Sequence, residues 1–191
     1  MDAVSDYWED VPLSFGIGVQ GGWDDNINAS SSDPSESAFM SGTLTVSYGK
    51  KGERGNVRLG GTFRTTHYFD APETIEETNY NAGAFLNFNR ELSPRMQFAN
   101  NLYVAYEIEP DFASGGTTAR RDGEYFNISD RAALTYAWTQ RFSTTASYSF
   151  TGLYYDSDEL SATEDRMVHT AGIEGRYILT ERTAALGEYR Y

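Results

Sequence analysis

The chain has no cysteine, only Lys50 and Lys51 as lysines, two histidines, five prolines, and no run of about 18 apolar residues anywhere in its 191 positions. Without cysteine there is no disulfide framework, no thiolate metal site and no cysteine nucleophile. Without a long apolar run there is no transmembrane helix. A membrane-spanning β-barrel is not excluded, because its apolar residues alternate with polar ones. Bases are outnumbered, 15 Lys and Arg against 28 Asp and Glu for a net charge of −13, which argues against nucleic-acid binding. The opening Met1-Asp2-Ala3-Val4-Ser5-Asp6 lacks the basic start and apolar centre of a secretion signal, which is therefore taken as removed. No Gly-x-Ser-x-Gly, phosphate loop or His-Glu-x-x-His occurs. No catalytic residue, cofactor site or metal site is expected.

Aromatic residues are plentiful. Tyr 14, Phe 11 and Trp 3 make up 15% of a chain whose mean hydropathy is only −0.55. They fall into a period of two. Leu13, Phe15, Ile17, Val19, Gly21 and Trp23 share one side, with Ser14, Gly16, Gly18, Gln20 and Gly22 on the other. No helix gives that pattern. Similar segments begin near Met40, Val57, Tyr80, Met96, Phe126, Phe142 and Met167, and a ninth near Ala184. No stretch reads as a convincing helix. At about 3.3 Å per residue, ten residues tilted near 45° cross the hydrocarbon core of a bilayer.

The connections alternate. Long polar loops (about 24–37, 70–78, 109–124 and 156–165) take turns with short ones (49–55, 90–95, 139–142 and 180–183), the pattern of outer-membrane barrels. The short turns carry Lys50, Lys51, Arg54, Arg90, Arg95, Arg141 and Arg182. The long-loop end carries most of the acidic residues, with only Arg120 and Arg121 as bases. The spacing therefore predicts an all-β, antiparallel up-and-down barrel of outer-membrane type over 13–191, with 1–12 as an N-terminal leader segment. Bacterial barrels have an even strand count, so about nine strands predicts an incomplete barrel, truncated at its C-terminal end.

On the polar side, Arg58, Arg64, Glu107, Arg131, Glu174 and Arg176 are candidate lumen-lining residues, where water and ion pairs accommodate charge. A purely structural ladder of ion pairs is an equal alternative. On the apolar side, Phe15, Trp23, Phe69, Tyr106, Trp138 and Tyr154 are candidate girdle aromatics at the two headgroup levels. The expected partners are outer-membrane lipid and polar or saccharide solutes, with no nucleic acid. The Asp24-Asp25-Asn26-Ile27-Asn28 loop lacks the glycine and later glutamate of an EF-hand and reads as an Asx-rich turn. Two other functions remain open. One is a soluble lipocalin-like barrel with an apolar interior, feebly suggested by Gly21-Gly22-Trp23. The other is an omptin-like outer-membrane protease using His67 near Asp70 or His169 near Asp165.

The opening Leu13-Ser14-Phe15-Gly16-Ile17-Gly18-Val19, running into Gly22-Trp23-Asp24-Asp25-Asn26-Ile27, resembles the start of the β-barrel porins of Gram-negative bacteria. It is most similar to the second porin type, which includes exopolysaccharide-associated outer-membrane proteins. The remaining likeness over 13–191 lies in the alternating loops and the Tyr- and Arg-rich strands. The resemblance implies an outer-membrane location and a channel or polysaccharide-export accessory role, and it carries no catalytic residues.

Overall fold

A computed structural model describes residues 12–28, 33–73, 76–108 and 123–191. Alternating apolar and polar side chains over long stretches leave an extended backbone as the one conformation that separates them onto two sides. Nine strands result: β1 (Leu13–Asp24), β2 (Ser37–Gly52), β3 (Gly55–Tyr68), β4 (Thr78–Ser93), β5 (Met96–Ile108), β6 (Glu124–Ala137), β7 (Phe142–Tyr155), β8 (Arg166–Thr180) and β9 (Thr183–Arg190). Each pairs antiparallel with its neighbours in sequence, in the order β1 to β9 without a crossover. The fold is an all-β meander in one sheet. The sheet does not close on itself, and among the described residues no strand pairs with the outer side of β1 or β9.

The register decides which residues share a side, because paired residues in an antiparallel ladder face the same way. Ile17, Leu44, Phe63, Ala82, Tyr106, Phe126 and Tyr154 form one row across β1 to β7. The next row, Phe15, Val46, Gly61, Ala84, Val104, Ile128, Gly152 and Met167, runs across β1 to β8. One side of the sheet is thus apolar along its whole width. It stands open: Ile17 is 83% exposed and Phe15 63%. Among the described residues only Ile27, Ala105 and Tyr155 are buried apolar side chains, and strands touch only their ladder neighbours. Among the described residues no second layer meets the apolar side, so they form no dry, apolar interior of the kind a lipocalin-like barrel requires.

Three differences from the sequence reading have physical reasons. The short turns are shorter than expected: Gly49, Lys50 and Lys51 belong to β2, and Arg90 and Glu91 to β4. The ladder runs down to Lys51 with Asn56 and Gly52 with Gly55, so Glu53 and Arg54 alone make the turn. Backbone pairing continues as far as a tight turn allows, whatever the side-chain charge, where those side chains reach water. The loop 156–165 contains a short helix, α1 (Asp158–Glu164), packed on β7. Its Asp158 and Glu159 stand in the first turn, where the helix dipole favours anions. Seven residues, about two turns, are too few to show a 3.6-residue period. Arg166, which opens β8, adds a base at the long-loop end. The leader 1–12 lies outside the described residues except for Pro12, whose carbonyl accepts from the Gly49 N–H at 2.8 Å. Arg120 and Arg121 lie outside them too.

Candidate functional site

All six candidate lumen residues stand on the polar side. Arg58 and Arg64 on β3 face the same way as Asn87 and Asn81 on β4, and Arg131 on β6 pairs with Asn101 on β5. Glu107 pairs with Tyr125, Glu174 with Thr145 and Glu188, and Arg176 with Ser143 and Leu186. The six do not form an ion-pair ladder: among the described residues no ion pair joins any two of them. An ion pair does form between Glu188 and Arg190, at 2.6 Å on exposed β9. The Arg58 guanidinium instead lies 5.5 Å from the Phe85 ring centroid, a cation–π contact. Arg64 donates through Nε to Thr43 Oγ1 at 3.3 Å.

A cavity of about 580 Å³ opens on this side toward the long-loop end, between Arg64, Asn81, Glu107, Tyr103 and Tyr125. Its floor is low because Gly83 has no side chain. A Cβ there would sit 3.5 Å from the Tyr103 hydroxyl, in ordinary contact. The Glu107 carboxylate is fixed from both sides. Oε1 accepts from the Tyr103 hydroxyl at 3.4 Å and Oε2 from the Tyr125 hydroxyl at 2.7 Å. Asn81 Oδ1 accepts from the Ile108 N–H at 3.1 Å and ties β4 to the end of β5. Arg64 and Glu107 were legible as polar-side residues. Their convergence with Tyr103, Tyr125 and Asn81 was not, since it depends on which strands are neighbours and in what register.

Of the girdle candidates, Phe15, Trp23, Tyr106 and Tyr154 fall on the apolar side, and Phe69 and Trp138, one residue past the ends of β3 and β6, pack against the apolar-side rings of His67 and Tyr136, so that the six form two groups. Phe15 and Trp138 lie toward the short turns. Trp138 is edge-on to Tyr136 with ring centroids 4.7 Å apart, and its indole N–H donates to Thr144 Oγ1 at 2.9 Å. Trp23, Phe69, Tyr106 and Tyr154 lie toward the long loops. The Tyr106 hydroxyl bonds to Glu124 and to Asp156, the latter at 2.9 Å. Apolar rings with polar tips turned to the loop end are the arrangement expected at a membrane–water boundary.

His67 and His169 also stand on the apolar side. The His67 ring is 2.9 Å from Thr78 Oγ1 through Nδ1 and edge-on to Phe69, and His169 Nδ1 is 2.6 Å from the Tyr148 hydroxyl. Asp165 and Asp70 are the carboxylates that a protease reading would match to them. Asp165 accepts from the Tyr155 N–H at 2.8 Å, and Asp70 is tied through its backbone to Ser37. The Asp24 loop makes an Asx turn, with Asp24 Oδ1 accepting from the Asn26 N–H at 3.0 Å. Among the described residues no group of three or more His, Asp or Glu is placed to hold a metal ion.

One polar pair interrupts the apolar side. Asp130, midway along β6, lies between Leu102 and Phe150, and its Oδ1 accepts from the Asn100 amide at 2.7 Å.

No known protein family matches the sequence, and no curated protein does. Among solved structures, the chain is similar to the Pseudomonas putida toluene transporter TodX, at 10% identity and a TM-score of 0.42, with 94% of this chain covered. The match takes in 65% of that transporter, so this chain spans less than two thirds of its length.

Proposed function

We propose that the chain forms the wall of an outer-membrane β-barrel that acts as a porin-like, non-enzymatic passage for small polar solutes. The apolar side faces lipid and the polar side faces a water-filled lumen. The observation that carries this reading is the open apolar side itself, continuous over the width of the sheet and, among the described residues, covered by no second layer. Soluble monomers rarely expose contiguous apolar patches larger than a few hundred Å², whereas hydrocarbon is the solvent such a side requires. The opposite side, with Arg58, Arg64, Glu107, Arg131, Glu174 and Arg176, suits water and solute. Strands of up to 16 residues exceed what a tilted crossing needs, leaving charged ends such as Lys50 and Lys51 in water.

The expected results are recovery of the full chain in the outer-membrane fraction, resistance to alkaline carbonate extraction, heat-modifiable gel migration and single-channel conductance in a planar bilayer. A chain recovered in the soluble fraction without detergent overturns the reading.

The same reading gives the Asn100–Asp130 pair a sign. Polar groups facing lipid midway along a strand are costly. The double replacement Asn100→Ala with Asp130→Leu is therefore expected to raise stability in vesicles by on the order of 1 kcal/mol, read by denaturant titration. Asp130→Leu alone is expected to gain less, since the Asn100 amide then lacks its acceptor.

A further inference from the structure

We propose that the cavity between Arg64 and Glu107 is a binding site for a small zwitterion, with the solute's carboxylate held by Arg64 and its ammonium group by Glu107. The proposal deepens the reading of the polar side as a lumen and rests on it.

Three features of the geometry carry it. The two charges are held apart. Arg64 on β3 and Glu107 on β5 flank Asn81 on the intervening β4, which sets their backbones about 10 Å apart at the usual strand spacing. Each charge is positioned without being neutralised. Arg64 uses Nε on Thr43, and its terminal nitrogens meet no protein acceptor among the described residues. Glu107 takes one phenol on each oxygen, and no cation pairs with it among the described residues. The space between them is real. About 580 Å³ opens over the Gly83 floor, within the range of small-ligand sites.

A carboxylate suits the planar donor fork of Arg64. An ammonium group suits Glu107 flanked by the Tyr103 and Tyr125 rings, since a cation gains from both the carboxylate and the aromatic faces. An uncharged solute leaves both charges unanswered, and a singly charged one leaves one of them. A zwitterion of dipeptide length answers both.

Calorimetric titration of the full chain in detergent micelles tests the inference, with glycylglycine, N-acetylglycylglycine (carboxylate only), glycylglycinamide (ammonium only) and sucrose as probes. Glycylglycine is expected to bind about tenfold more tightly than either single-charge analogue, a modest factor because the site is open to water. Arg64→Gln is expected to bring glycylglycine down to the level of glycylglycinamide, and Glu107→Gln to bring it down to the level of N-acetylglycylglycine. Arg58→Gln, on the same side but outside the cavity, is expected to change nothing. Gly83→Val raises the floor and crowds the Tyr103 hydroxyl that steadies Glu107, and is expected to weaken all three peptides. Sucrose binding as tightly as glycylglycine overturns the proposal, as does an equal loss in Arg58→Gln. Heat-modifiable migration of each variant checks its fold. Vesicle insertion and conductance measured on the same preparation separate the two readings. Insertion and conductance without discrimination among the probes overturn the site alone, whereas a chain that stays in water without detergent overturns the lumen reading itself.

Discussion

Leu44→Arg is expected to cost about 2–4 kcal/mol of folding free energy in a bilayer, while Thr45→Arg, one residue further on, costs little. Leu44 lies midway along β2 on the apolar side, in register with Ile17 and Phe63, and is 44% exposed. A guanidinium there meets hydrocarbon. Thr45 points to the other side, in register with Gly16 and Thr62, where an added arginine joins Arg58 and Arg64 in water. The contrast matters more than either value, because both substitutions introduce the same side chain and the same charge at adjacent positions of one strand. Urea titration in vesicles, with the folded fraction read from gel migration, checks it. Equal tolerance of the two would reverse the assignment of sides, and near-neutrality of both would mean that the apolar side does not meet lipid.

Gly60→Val is the second large effect. Gly60 stands on the polar side of β3, in register with Phe85 on β4 and Ser47 on β2. The Phe85 ring lies across it so closely that a Cβ would fall 2.8 Å from two ring carbons and 2.8 Å from the Val46 carbonyl oxygen. The ring can swing aside, but the carbonyl is part of the β2–β3 ladder and moves only with the backbone. A loss of about 1–3 kcal/mol is expected from such overpacking. It comes together with displacement of Arg58 from its place beside Phe85. Phe85→Ala combined with Gly60→Ala relieves only the ring clash, so a residual loss in that double variant isolates the backbone contact. Phe39 lies over Gly22 in the same way, where a Cβ would approach its ring to 2.8 Å. A glycine opposite an aromatic on the wet side is thus a repeated device: the ring covers backbone that no side chain protects, and it helps to hold the register.

The two-residue period was legible from end to end, because it depends on nothing but the pleat. It placed Arg58, Arg64, Glu107, Arg131, Glu174 and Arg176 on one side and Phe15, Trp23, Tyr106 and Tyr154 on the other, as the register has them, whereas Phe69 and Trp138 lie just past the ends of β3 and β6. The ends of strands were not legible. Lys50, Lys51, Arg90 and Glu91 carry turn-like chemistry, yet the backbone stays paired through them. Helix α1 was missed because seven residues, Asp158–Glu164, none of them buried, leave no apolar stripe. The cavity was missed for a different reason. Arg64 and Glu107 are far apart in sequence, and only the stagger of β3, β4 and β5 brings them into one row. The hydroxyls that hold Glu107 come one from its own strand, Tyr103, and one from β6, Tyr125. Alternation tells which side a residue takes; it does not tell what stands beside it.

Since every ladder joins strands consecutive in the chain, the natural unit of change in this architecture is the hairpin. Excising or duplicating two strands with their turn, for example β4 with β5, keeps the parity of every residue that remains. It alters only the width of the wall. Losing a single strand would reverse the direction of everything downstream and move the long loops to the opposite end. Gene-level variation in such a protein is therefore confined to even steps, each widening or narrowing the sheet by roughly 10 Å without rewriting the chemistry of either surface.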